Sequence, residues 1–145
     1  MGCDIHLHIE VQKLDRTWLH YGAPRIERNY DLFEKMAGVR GLIQNAIVPP
    51  KGLPNDISEI TEMDWQHWKD DGHSASWLSH DEIMLLEDWL DSLKQPGDFL
   101  TYDLEWAIFG MYFFGSGFTA HWRYNDVQYI PTELKDVRFV FWFDN

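Results

Sequence analysis

Along residues 3–12 two kinds of side chain alternate without a fault. Cys3, Ile5, Leu7, Ile9 and Val11 fall on one side, and Asp4, His6, His8, Glu10 and Gln12 on the other. A period of two is the pattern of a β-strand with one face in a core, because successive side chains leave the backbone in opposite directions. Residues 13–16 are polar enough to turn, and residues 17–21 return to strand-favouring types, so a hairpin is expected at the start of the chain. Residues 137–143 are apolar on both faces apart from Arg138, as in a central strand.

Helix signals lie between these strands. Asn29 is an N-cap for a short helix over 30–37, where Leu32, Phe33 and Met36 share a stripe and Gly38 supplies the stop. Pro49, Pro50, Gly52 and Pro54 make the next stretch irregular, and a second helix is expected over 58–69, followed by a polar loop over 70–77. Ser79 with Glu82 forms a capping box, and Ile83, Leu86, Trp89, Leu90 and Leu93 follow at helical spacing until Pro96 and Gly97. A short helix over 100–109 and a hairpin over 118–130 complete the reading. The fold class is α+β: a mainly antiparallel sheet with the N- and C-terminal strands central and three or four helices packed on one side, in a single domain over 1–145.

Composition narrows the function classes. The net charge is −12, and residues 55–105 hold fourteen acidic side chains against Lys69 and Lys94, so this segment carries the entire excess. Such a field repels nucleic-acid phosphates and disfavours general DNA or RNA binding. Its two uses are a solvated acidic face and a surface for a basic partner. Cys3 is the one cysteine, which excludes an internal disulfide framework and fits a reducing compartment, the cytoplasm by default. No signal peptide is visible, and the most apolar run, residues 106–118, is too short to span a bilayer.

The polar side of the first strand is the best candidate for chemistry. Residues i and i+2 lie about 7 Å apart on one face, so His6 and His8 can offer two imidazole nitrogens to one ion. Asp4 and Glu10 are roughly 20 Å apart along the strand and cannot both reach that ion. A zinc or manganese site needs about three protein ligands and an open position for water. Asp144 at the end of the last strand is the natural further ligand, with His73 in the polar loop and then His121 as other candidates. Asp4, Glu10 and His73 are the candidate proton-shuttling residues. A solvent-facing strand would alternate in the same way without binding anything, yet such faces favour Thr, Lys and Arg over histidines bracketed by carboxylates.

The Met-Gly-Cys-Asp-Ile-His start, the run from Arg28 to Phe33, the Asp71-Gly72-His73-Ser74 loop and the Val-Phe-Trp-Phe-Asp-Asn end resemble a group of small bacteriophage and prophage proteins with no established activity. The resemblance implies a protein made in a bacterial cytoplasm, where such proteins counter host defences by binding a protein, sequestering a nucleotide signal or degrading it. It also draws attention to both chain ends and the His73 loop, which are expected to meet in space. The leading expectation is a divalent-metal-dependent hydrolase, with His6 and His8 as ligands, Asp144, or else Asp4 or His73, completing the site, and a phosphoester or nucleotide as substrate. The rivals are a non-enzymatic counter-defence protein whose acidic segment binds a basic host protein, and a nucleotide-sequestering protein that needs no metal.

Overall fold

The computed structural model describes residues 2–93 and 134–145. Its elements run β1 (Asp4–Lys13), β2 (Trp18–Gly22), α1 (Tyr30–Ala37), a 3-10 turn at Ile43–Asn45, α2 (Glu59–Trp68), β3 (Gly72–Leu78), α3 (His80–Leu93) and β4 (Leu134–Asp144). The four strands form one sheet in the order β2-β1-β4-β3, with every neighbouring pair antiparallel. The first and last strands are central, as their patterns predict. The expected helix over 100–109 and hairpin over 118–130 lie outside the described residues. No helix among the described residues is long and apolar enough to cross a membrane.

The register separates two faces. Ile5 lies opposite Phe143, Leu7 opposite Phe141, Ile9 opposite Phe139 and Val11 opposite Val137. These side chains join Leu32, Phe33 and Met36 of α1 and Ile83, Leu86 and Leu90 of α3 in one buried core. Burying each large apolar side chain contributes about 1.5–3 kcal/mol, so this layer dominates the stability of the described part. α1 forms for the local reasons its sequence gives. Asn29 Oδ1 accepts the Leu32 N–H at 3.1 Å, and Gly38 ends the helix at φ 75°, its N–H donating to Glu34 O at 2.7 Å. A Cβ at Gly38 would also stand 2.7 Å from the Ile43 backbone, so glycine is required there on two counts. The Ser79–Glu82 capping box starts α3: Ser79 N–H donates to Glu82 Oε1 at 2.9 Å and Glu82 N–H to Ser79 Oγ at 3.3 Å.

Two expectations need correction. Residues 72–78 form strand β3 on the edge of β4, although residues 70–77 read as a polar loop. Gly, His, Ser and Ala are weak strand formers, and pairing with the very apolar β4 overrides their local preference. A register shift between His73 and Ser76, with Ser74 at φ 54°, accommodates the mismatch. The helices also do not all pack on one side. α1 and α3 cover the apolar face, whereas α2 lies against the opposite one, where Trp65 meets Trp142 at 5.2 Å and Trp68 meets His6 at 4.2 Å between ring centroids. Gly72 permits this approach: a Cβ there would stand 2.9 Å from the Trp65 ring and 3.1 Å from Trp68 O.

Candidate functional site

On the face under α2, register sets Asp4 beside Asp144, His6 beside Trp142, His8 beside Val140 and Glu10 beside Arg138. Gly72 lies on the other side of Asp144, so both chain ends and the start of β3 do meet at one end of the sheet. The row divides into a closed end and an open one.

At the closed end Glu10 is fully buried and Arg138 nearly so. Glu10 Oε1 accepts from Arg138 Nε at 2.8 Å, and Oε2 accepts the Ser58 backbone N–H at 2.8 Å, just ahead of α2. The same guanidinium donates to Asp56 Oδ1 at 2.8 Å and lies 3.9 Å over the Trp18 ring. Glu10 is therefore not available as a proton shuttle. It fastens the start of α2 to the sheet, which corrects the catalytic role its place on the strand suggests.

The open end is built from two histidine–aspartate pairs. His6 Nε2 lies 2.6 Å from Asp144 Oδ2, and the ring sits beneath Trp68. His8, only 4% exposed, places Nε2 2.7 Å from Asp64 Oδ2 and Nδ1 2.9 Å from His20 Nε2. An ionised carboxylate only accepts, so in each pair the histidine donates its Nε2–H. For neutral His8 that leaves Nδ1 as acceptor, and His20 donates to it. His6 keeps the lone pair of Nδ1 for a proton. Asp4 accepts from Arg28 Nε at 2.6 Å and from Nη2 at 3.0 Å, and this hydrogen-bonded ion pair holds its carboxyl below the usual range. A cavity of about 400 Å³ opens over this end, bordered by Asp4, His6, His8, Asp64, Trp68 and Asp144, with Arg25 at its wall.

No family model, curated protein or solved structure matches this chain. What the cavity can do rests on its own chemistry. His6 with Asp144 and His8 with Asp64 are two separate donor pairs, and among the described residues no group of three His, Cys, Asp or Glu is placed to hold a metal ion. His73 is not in the cavity wall. Its Cα pairs with Phe143, whose side chain belongs to the apolar face, and its ring contacts Phe143, Ser74 Oγ at 3.0 Å and Asn145 Oδ1 at 3.2 Å. His121 lies outside the described residues. Cys3 is buried in the core, as alternation predicts.

Asp64 and His20 are the members that the strand pattern misses. Asp64 falls in phase with Thr61, Trp65 and Trp68, the stripe α2 turns to the sheet, so an acid on that stripe was the available signal. His20 lies opposite Glu10 in the hairpin register, next to His8.

Burial pushes both His8 and His20 below the ordinary histidine value. Asp64 partly opposes the shift for His8, and His8 adds to it for His20. The unfolded chain therefore binds more protons than the folded one just below about pH 6.5. This stabilisation is fully present above that pH and is lost as pH falls through the lower folded values. The urea midpoint is expected to fall between pH 7.5 and 5.5, and to fall less in a His8→Gln/His20→Gln variant. Equal slopes for the two proteins would contradict the assignment.

Proposed function

We propose that the open end of this face is a hydrolytic site in which His6, oriented by Asp144, acts as general base. The observation that carries this reading is the pair of histidine–aspartate contacts bordering one cavity. An aspartate on one imidazole nitrogen fixes the tautomer and stabilises the imidazolium that forms when the other nitrogen takes a proton. His6 Nδ1 would remove a proton from water as its oxygen attacks the substrate, then return it to the leaving oxygen, so protons balance over the cycle. The His8–Asp64 pair, held from behind by His20, would fix a second polar group of the substrate. Arg25, the cation at the wall, suits a phosphoester or nucleotide, the substrate class the reading takes.

Zinc or manganese would add a Lewis acid and an activated water. That form needs a third donor beside either pair, and the steps above do not depend on it.

The test uses untagged wild type and a His6→Ala/His8→Ala variant against nitrophenyl phosphate mono- and diesters and a nucleotide panel. Wild type is expected to turn over at least one class, with the variant down by about a hundredfold or more. Turnover equal in both proteins, or absent in both, would sink the reading. Elemental analysis of the same samples decides the cofactor: stoichiometric zinc or manganese lost in the variant assigns the ion to these pairs.

A further inference from the structure

α2 turns Thr61, Asp64, Trp65 and Trp68 towards the sheet, and a helix with that stripe ordinarily shows polar residues on its remaining arc. Here the outer arc carries Ile60 at 56% exposure and Met63 at 67%. They lie one turn apart and form an apolar strip. Beside it runs a parallel strip of Glu59 and Glu62, both exposed, and Asp70 and Asp71 follow just beyond the helix end. Lys69 is the one Lys or Arg from 59 to 71.

We propose that this outer arc of α2 docks a basic amphipathic helix of another protein, its apolar side chains on Ile60 and Met63 and its lysines or arginines on Glu59 and Glu62. Charge complementarity selects this occupant. The acidic excess of the chain is concentrated in the segment that contains α2, so it attracts a cationic partner and repels a second copy of itself. Apolar and acidic strips side by side mirror the two strips of such a helix, the arrangement by which amphipathic helices are read. The surface is also presented rigidly. Ser58 is bound to Glu10, and Trp65 packs on Trp142, so little ordering opposes binding. Asp64 faces the sheet from the inner side, which separates this surface from the hydrolytic cavity.

The experiment measures binding of a labelled leucine–lysine amphipathic helix, a scrambled peptide of the same composition, and oligolysine, with amide shifts followed by NMR. The amphipathic helix is expected to bind at least about tenfold more tightly than either control and to weaken with salt. Its shifts should centre on 58–69, and a Met63→Asp/Glu62→Lys variant should lose about tenfold in affinity. His6→Ala should bind as wild type does, which keeps the result independent of the hydrolase reading. Equal affinity for the scrambled peptide, shifts centred elsewhere, or an unaffected double variant would each overturn the proposal. So would sedimentation as a dimer that Met63→Asp dissociates, which would make a second copy the occupant.

Discussion

Arg138→Ala is expected to lower stability by about 3–5 kcal/mol, measured as a fall in the urea midpoint with little change in slope. The cost comes less from the lost ion pair than from what remains. Glu10 has no exposed surface, and without the guanidinium its carboxylate keeps, among the described residues, the Ser58 N–H alone. Asp56, held below the usual carboxylate range chiefly by its hydrogen bond to Arg138, loses that bond too, and Trp18 loses the cation over its ring. A Glu10→Leu/Arg138→Met variant is expected to recover most of the loss, since apolar residues of similar volume commonly replace a buried pair at little cost. A loss below about 1 kcal/mol in the single variant would mean that water reaches the pair.

Trp142→Ala is expected to cost a comparable amount, about 3–5 kcal/mol, through the cavity left by a fully buried indole. Its ring lies 6.0 Å from that of His6, 5.1 Å from His8 and 5.2 Å from Trp65, so the substitution removes the floor on which both histidines rest. Imidazole NMR signals of His6 and His8 should shift together with the loss of stability. The indole N–H is buried without a hydrogen-bond partner among the described residues, so Trp142→Phe removes an unsatisfied donor along with some volume. It is expected to cost markedly less than Trp142→Ala. Equal losses for the two would contradict the packing account.

Much of this architecture is legible in the sequence where local chemistry and tertiary context agree. Alternation gives β1 its two faces, Asn29 and Gly38 bound α1 at the observed residues, and Ser79 with Glu82 starts α3. β3 is hidden because its residues are poor strand formers that become a strand only against β4. The site is half legible. His6, His8 and Asp144 stand on patterned strands, and His6 meets Asp144 as their ends pair. Asp64 joins them only because α2 crosses the polar face, and nothing in the spacing of β1 announces which helix will cover it. Glu10 shows the converse: its place in the row is right and its role is not, because a partner 128 residues away neutralises it.

That same pairing of the first strand with the last has a consequence for how the chain is made. His6 and Asp144 are separated by 138 positions, so the middle of the sheet is among the longest-range contacts a chain of this size can form. Emerging from a ribosome at about 5–20 residues per second, β1 waits several seconds for β4 with one backbone edge unpaired. Closure of the central pair then becomes the late, slow event of folding, and β1 with its hairpin partner β2 the stretch most in need of a chaperone until it happens.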